Sequence, residues 1–158
     1  MGIDLDPVLD DFAAAAERLA LPGWPAHLEA EYLPAPHSPR ALRPNHGAVY
    51  VFALADHHTS RAGAGRILKV RRVGPNSNAR FQSQHYWATS ARSSLAKSLL
   101  GYPARWPWLG IDHVDASTVR AWMPGNLDRA NIYVPAASTA LMPHLEMYIR
   151  ARLGGFSL

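Results

Sequence analysis

The chain of 158 residues contains no cysteine and no apolar run long enough to cross a membrane. Without cysteine it can form no disulfide scaffold, no thiolate metal site and no cysteine nucleophile. A membrane-spanning helix needs about 20 predominantly apolar residues, and a secretory signal needs a basic segment before an apolar one. The first residues, Met1 to Asp6, instead include two acids. We therefore expect a cytoplasmic protein without a membrane partner.

Motifs of several common enzyme classes are also missing. The chain has no glycine-rich phosphate loop, no Gly-x-Ser-x-Gly and no His-Glu-x-x-His. These absences exclude the usual nucleotide hydrolases, esterases and zinc peptidases. His57 and His58 are adjacent, but no second histidine pair stands at a spacing that completes a zinc site. We interpret them as part of a polar loop.

Acidic residues are absent from residues 57–111, which carry nine lysines and arginines. Residues 1–33 show the opposite bias, with seven acids and one base. Ordinary solvated surfaces mix both signs of charge. A basic segment of this length is typical of proteins that bind a polyanion, and nucleic acid is the partner we expect.

The pattern of apolar residues predicts helices and strands in a definite order. Asp6-Pro7 favours the start of an N-terminal helix, with Asp6 as its N-cap. Alternating or β-branched segments predict strands, and apolar residues three and four apart predict helices. The predicted strands are Ala48–Leu54, Arg66–Val73, Thr118–Met123 and a short edge strand at Asn131–Pro135; the predicted helices are Asn78–Tyr86, Ser90–Gly101 and a last helix carrying Leu141, Leu145, Tyr148, Ile149 and Arg152.

Residues 45–158 resemble the GIY-YIG nuclease domain in the order of these elements. The resemblance rests on Ala48-Val49-Tyr50 in the first strand, on Arg80 in the helix after the second strand, and on Glu146 in the last helix. It implies an α/β (α+β) fold in which helices flank a small three-stranded, mainly antiparallel sheet, in the order β-β-α-β-α. Residues 1–33 would add an acidic N-terminal helix and strap packed on this domain, so that the chain forms a single folded unit.

The resemblance also implies a metal-dependent endonuclease that hydrolyses phosphodiester bonds. Tyr50 would orient or deprotonate the attacking water and Arg80 would bind the scissile phosphate, with His85 and Lys69 assisting. Glu146 would hold Mg²⁺ or Mn²⁺, since hard cations take carboxylate oxygens. The basic residues expected to bind the nucleic acid, DNA rather than RNA, are Arg66, Arg71, Arg72, Arg92 and Lys97.

Three departures from the family pattern leave a second function open. Ala48 replaces the glycine of the first signature, Arg71 replaces the glycine of the second, and no asparagine follows the Glu146 helix. The alternative is a catalytically reduced nucleic-acid-binding module with a GIY-YIG-like fold. A third hypothesis is a protein-binding module whose basic face docks on the acidic N-terminal segment of another copy.

Four of the candidates also have structural interpretations. Arg80 could be a solvated helix residue and His85 an ordinary helix histidine. Tyr50 could be a core residue of its strand. Glu146 stands four residues before Arg150, which is the spacing of a helical ion pair. Taken together, the candidates favour a shared site, because one fold would bring them to one place.

Overall fold

The computed structural model describes residues 2–25, 27–58, 67–89, 94–101, 111 and 113–154. Its helices are α1 (Asp6–Arg18), α2 (Asn78–Gln82), α3 (Leu95–Gly101), α4 (Val119–Asn126) and α5 (Met142–Leu153). Its strands are β1 (Ala30–Leu33), β2 (His46–Leu54), β3 (Ile67–Val73) and β4 (Leu127–Pro135). Short 3₁₀ helices follow α2 at Gln84–Tyr86 and β4 at Ala136–Leu141. Within these ranges no helix has the length and apolar character to cross a membrane.

The four strands form one antiparallel sheet in the order β1-β4-β2-β3. This confirms the mixed class of helices and strands expected from the sequence, but the sheet has four strands where we predicted three. The additional strand is β1, which pairs with β4 at one edge of the sheet. Its four residues are too few to show a readable alternation of apolar and polar side chains.

The prediction of a strand at Thr118–Met123 is wrong, because these residues enter helix α4. β-branched and aromatic residues suit a strand, but the turn before α4 favours a helix. The carboxylate of Asp115 accepts hydrogen bonds from the backbone N–H groups of Ser117 and Thr118, at 2.8 and 3.0 Å. Side-chain bonds of this kind direct the backbone into a turn, and here they outweigh the strand propensity.

The third long strand of the sheet is β4, which lies between β1 and β2. The predicted edge strand Asn131–Pro135 is its second half, and the predicted edge position is wrong. Arg129 and Asn131 place polar residues among the apolar ones, and we predicted no strand for the residues directly before Asn131. Both side chains are buried and hydrogen-bonded to each other, so their polarity is compatible with a central strand.

Asp6 is not the N-cap of α1. The helix includes it, and Leu5 occupies the cap position without a side-chain hydrogen bond. The Asp6 carboxylate instead accepts a hydrogen bond from the Tyr32 hydroxyl at 2.7 Å, and that hydroxyl accepts one from the Leu5 N–H at 2.8 Å. Helix α1 is therefore tied to β1 by a contact between distant parts of the chain, which local capping rules do not describe.

Helices cover both faces of the sheet and form two apolar clusters. On one face, Ala48, Tyr50 and Phe52 pack under α2, α3 and α4. On the other, Val49 and Val51 pack under α1 and α5. We call these the Tyr50 face and the Val49 face. Because both are covered, β2 is buried along nearly its whole length and reads as one apolar run.

Candidate functional site

Two basic side chains lie beside aromatic rings where β3 pairs with β2 on the Tyr50 face. The register places Arg71 opposite Tyr50 and Lys69 opposite Phe52. Directly opposed residues of an antiparallel pair project on the same face of a sheet. The alternation of basic residues in β3 therefore brings a guanidinium group opposite Tyr50 and an ammonium group opposite Phe52, on the same face of the sheet.

His85 covers Tyr50 from the helical layer. Its Nε2 is hydrogen-bonded to the Tyr50 hydroxyl, and the two ring centroids are 4.9 Å apart. The predicted helix Asn78–Tyr86 is interrupted: α2 ends at Gln82, and a separate 3₁₀ helix, Gln84–Tyr86, carries His85. Both side chains are buried, with exposed fractions of 1% for His85 and 0% for Tyr50.

The direction of the Tyr50–His85 hydrogen bond follows from the burial of the pair. If Tyr50 donates, the hydroxyl proton and the Nε2 lone pair are both satisfied, and only the Nδ1–H of His85 lacks a partner. If His85 donated, both the hydroxyl proton and the Nδ1 lone pair would lack a hydrogen-bond partner within the described ranges. Buried polar groups are nearly always paired, so we assign Tyr50 as the donor.

Two buried donors of this cluster have no hydrogen-bond partner among the residues that the structure describes. They are the Nζ of Lys69, a residue with an exposed fraction of 1%, and the Nδ1 of His85. A buried polar group without a partner costs about 1 to 3 kcal/mol. The fold gains nothing from this pair, which points to a ligand that supplies hydrogen-bond acceptors.

Burial and neighbouring cations shift the ionisation of the cluster. Burial, followed by the charges of Arg71 and Arg80, lowers the pKa of Lys69 to about 8. Burial, followed by the charge of Lys69, lowers the pKa of His85 to about 3, so the imidazole is neutral at pH 7. Burial raises the pKa of Tyr50 to about 12 in spite of the opposing charge of Arg80. A Tyr50 phenolate is therefore disfavoured as a base at neutral pH.

Arg71 and Arg80 are the partly exposed members of the cluster. Both lower the pKa of Lys69 and of His85, so their charges reach the buried groups. An anion that approaches from solvent meets these guanidinium groups before the buried donors. The structure thus brings together five of the predicted site residues, and the side chains of Tyr50, Lys69, Arg71, Arg80 and His85 form what we call the Tyr50 cluster.

Arg129, which the sequence patterns do not single out, ties the surroundings of the cluster together. Its guanidinium donates to the Oδ1 of Asn131 at 2.8 Å, to the carbonyl of Phe81 at 2.8 Å and to the hydroxyl of Tyr86 at 3.3 Å. It also lies over the Phe81 ring, 4.4 Å from the centroid. These contacts join β4 to α2 and to the 3₁₀ helix that carries His85.

A sequence signal for Arg129 and Asn131 exists. The two polar residues alternate with apolar ones, and Ile132-Tyr133-Val134 continues the segment. Polar residues at every second position of a strand share one face of the sheet. Read this way, the segment predicts a strand with one polar face next to Tyr133, which is the face on which the Tyr50 cluster lies.

Glu146 is not part of the Tyr50 cluster. It lies on α5, which covers the Val49 face, and its two carboxylate oxygens are hydrogen-bonded to the guanidinium groups of Arg72 and Arg150. The carboxylate is almost fully buried, whereas Arg72 is about half exposed. The pair with Arg150 is the helical ion pair that the spacing of the sequence left open. At Tyr50 the charge of Glu146 makes only a minor contribution to the raised pKa.

The surroundings of Glu146 do not fit a divalent metal ion. Its carboxylate is shared between two guanidinium groups, so a hard cation would have to displace one of them and would still face the other. In the described ranges, no group of three or more histidine, aspartate or glutamate side chains could hold a metal ion. We therefore derive no catalytic step through Mg²⁺ or Mn²⁺.

The remaining predicted binding residues lie elsewhere. Lys97 is exposed on α3, and its backbone N–H donates to the Ser94 Oγ at 3.1 Å. Arg66 and Arg92 lie outside the described residues. Where the structure describes both partners, no ion pair joins an acid of residues 1–33 to a base of residues 57–111.

His57 and His58 lie in a helical segment that begins at Asp56, shortly after β2, where we predicted a loop. Their Nε2 atoms lie 3.1 and 2.8 Å from the Oδ1 of Asn126, so both rings donate to one amide oxygen. This arrangement joins the end of β2 to the end of α4 and gives the two histidines a structural role.

Comparisons with protein-family models, with curated proteins and with solved structures found no match. The function of the Tyr50 cluster is therefore argued from its own geometry and chemistry.

Proposed function

We propose that the protein binds the phosphodiester backbone of a nucleic acid at the Tyr50 cluster and cleaves it there. The observation that carries this proposal is the pair of buried donors, Lys69 Nζ and His85 Nδ1, for which the described part of the chain has no acceptor. The non-bridging oxygens of a phosphodiester are acceptors only, and they carry the negative charge that Arg71 and Arg80 would balance.

The distribution of charge favours a polymer over a small phosphate compound. Residues 57–111 carry nine bases and no acid, which is more positive charge than one phosphate needs. Lys97 is an exposed member of this set outside the Tyr50 cluster. A field of one sign that extends beyond the site attracts successive phosphates of a chain.

The cluster also has the chemical groups that phosphodiester cleavage requires. Charge accumulates on the non-bridging oxygens as the reaction proceeds, and fixed cations in a water-poor site stabilise it. Lys69 is buried, and Arg71 and Arg80 add two partly exposed cations beside it. The chain runs β2, β3, α2, α3, α4, β4 and α5, so it contains the β-β-α-β-α order that the GIY-YIG resemblance implies, with two further helices before β4. This order is compatible with a nuclease.

A nucleic-acid-binding module without turnover is the second candidate, and Arg71 is the observation that favours it. The register places this long side chain opposite Tyr50, where the family has glycine. An arginine there binds a phosphate well but takes up space that the scissile group would need.

One set of labelled oligonucleotides tests both candidates. Single- and double-stranded DNA and RNA of one sequence are titrated with the wild type, with Lys69→Met and with Lys97→Met as the matched control. We expect log K to fall by about 0.7 to 0.9 per log unit of salt for each phosphate contacted. Lys69→Met should weaken binding about tenfold or more, because a charged hydrogen bond is worth about 1.5 to 3 kcal/mol. Lys97→Met should cost a few-fold.

The products decide between the candidates. Strand cleavage by the wild type under any metal condition identifies a nuclease, and salt-sensitive binding without products identifies the binding module. Equal effects of the two lysine variants on affinity would contradict the placement of the site at the Tyr50 cluster. Binding that does not depend on salt would contradict the backbone as the ligand.

A further inference from the structure

We propose that the strand cleaved at the Tyr50 cluster is RNA, and that the nucleophile is the ribose 2′-hydroxyl and not a metal-activated water. This inference rests on the proposed function and adds its substrate class. The expected products are a 2′,3′-cyclic phosphate and a free 5′-hydroxyl.

The first argument is the chemical make-up of the Tyr50 cluster. It consists of a phenol, an imidazole, an amine and two guanidinium groups, and it contains no carboxylate. The carboxylate predicted for metal binding, that of Glu146, is engaged by Arg72 and Arg150. Attack by water on a phosphodiester commonly relies on a metal ion to generate the nucleophile. RNA carries its own nucleophile next to each phosphorus, so the protein has only to transfer protons and stabilise charge.

The second argument is the position of the two buried donors. The Nζ of Lys69 and the Nδ1 of His85 both lack partners in the described part of the chain. An amine that has lost its proton can accept one from a hydroxyl, while the Nδ1–H of a neutral imidazole can donate one. The cluster therefore holds one group for each of the two proton transfers that an internal attack requires.

The proposed step conserves atoms and protons. Lys69, as a neutral amine, takes the proton of the 2′-hydroxyl, the 2′-oxygen bonds to phosphorus, and the bond between phosphorus and the 5′-oxygen breaks. The 5′-oxygen takes the Nδ1 proton of His85, and the Nε2 of His85 receives the hydroxyl proton of Tyr50. Arg71 and Arg80 stabilise the non-bridging oxygens. The Nε2 proton of His85 then returns to Tyr50, and proton transfer through solvent from Lys69 to the Nδ1 of His85 restores the resting state.

The ionisation of Lys69 gives this step a distinctive pH dependence. The amine must be unprotonated to act as a base, and its pKa is lowered to about 8. The cleavage rate should therefore rise about tenfold per pH unit up to pH 8 and level off above it. A reaction without a general base at Lys69 has no reason to follow this profile.

The test uses the full-length protein, in parallel with EDTA and with Mg²⁺, and three oligonucleotides of one sequence. One is all DNA, the second has a single ribonucleotide, and the third has a single 2′-O-methyl ribonucleotide at the same position. We expect cleavage of the second alone, on the 3′ side of the ribonucleotide, with a cyclic phosphate identified by mass. At saturating protein, Lys69→Met should lower the rate about 100-fold or more. Tyr50→Phe should also slow cleavage, and Tyr148→Phe is its matched control on the Val49 face.

Each outcome bears on the inference or on the proposed function separately. Cleavage of the all-DNA strand, or cleavage that EDTA abolishes, would overturn the inference and leave the proposed nuclease standing. Binding of all three strands without products would overturn the inference and identify the binding module. No binding to any strand would overturn both. Cleavage of the ribonucleotide strand at the wild-type rate by Lys69→Met would exclude Lys69 as the base and thus the proposed step.

Discussion

The two faces of the sheet hold their buried charges in different ways. On the Val49 face, both carboxylate oxygens of Glu146 have guanidinium partners, and Arg150 also donates to the carbonyl of Val70 at 3.0 Å. On the Tyr50 face, Lys69 and the Nδ1 of His85 are buried without a partner in the described ranges. The two faces belong to the same strands, so the difference arises from the helices that cover them.

The two faces thus differ in whether their buried charged groups have hydrogen-bond partners within the described part of the fold. A buried carboxylate with two guanidinium partners has most of its desolvation cost offset. A buried amine without an acceptor has no such compensation and lowers the stability of the folded state. Glu146 thus has its partners within the fold, although the Nε of Arg150 is itself buried without one in the described ranges. For the Tyr50 cluster we propose that a ligand supplies the missing acceptors.

The largest expected effect on stability is that of Arg129→Met, which would remove buried hydrogen bonds on the Tyr50 face. The change leaves the carbonyl of Phe81 and the amide oxygen of Asn131 without their buried donor. We expect the free energy of unfolding to fall by about 3 kcal/mol or more. Chemical denaturation checks this, with Arg120→Met as the control, since Arg120 is exposed and stacks on Trp87. A loss below about 1 kcal/mol would show that Arg129 does not organise this face.

Gly47→Ala should destabilise the packing of β2 against β3 and α5. A β-carbon at this position would lie 2.8 Å from the carbonyl oxygen of Val73 and 2.7 Å from the Sδ of Met142. The backbone atom cannot yield without a shift of β3, so we expect a loss of about 2 to 3 kcal/mol. Gly74→Ala is the control, because nothing lies within 4 Å of its added β-carbon. Equal melting temperatures of the two variants would contradict this close packing.

Lys69→Met should stabilise the protein while it weakens the proposed binding and cleavage. The variant replaces a buried amine without an acceptor by an apolar side chain of similar length. We expect a gain of about 1 to 3 kcal/mol in the free energy of unfolding at pH 7. A loss of stability, measured by urea denaturation, would mean that the amine is satisfied in solution.

The gain from Lys69→Met should shrink as the pH rises from 8 to 10. The pKa of Lys69 is about 8 in the folded protein against an ordinary value of 10.5. In this window the unfolded chain binds the proton and the folded protein does not, so the wild type becomes more stable with rising pH. Denaturation of both proteins at pH 7 and pH 10 measures the change, and other titrating groups cancel in the difference. A constant difference would rule out a depressed pKa.

The smallest effect is expected for Arg72→Met on the Val49 face. Arg72 is about half exposed, and Arg150 remains paired with Glu146 when it is removed. Partly exposed ion pairs contribute little, so we expect a change of about 1 kcal/mol or less in the free energy of unfolding. A loss above about 2 kcal/mol would show that Glu146 depends on both partners, and the contrast between the two faces would then be stronger.

The elements with long, regular patterns could be predicted from the sequence, and those decided by distant contacts could not. Strands β2 and β3, the last helix and the basic segment follow from apolar spacing and charge. β1 is too short to show a pattern. In β4 the polar residues Arg129 and Asn131 interrupt the apolar pattern, and their burial depends on partners in other elements. α4 depends on the Asp115 turn, which propensity alone does not capture.

The sequence by itself determined which residue types are available for chemistry, and it placed Tyr50, Lys69, Arg71, Arg80 and His85 on adjacent elements. Only the tertiary structure decided which of them meet. Period-two alternation divides a strand between two faces, but helices packed from far along the chain determine what covers each face. For that reason Glu146 is held by Arg72 and Arg150 on the Val49 face, while Lys69 and His85 are buried together on the other. Whether a charged residue stabilises or destabilises the fold depends on its burial and its partners, and the tertiary structure determines both.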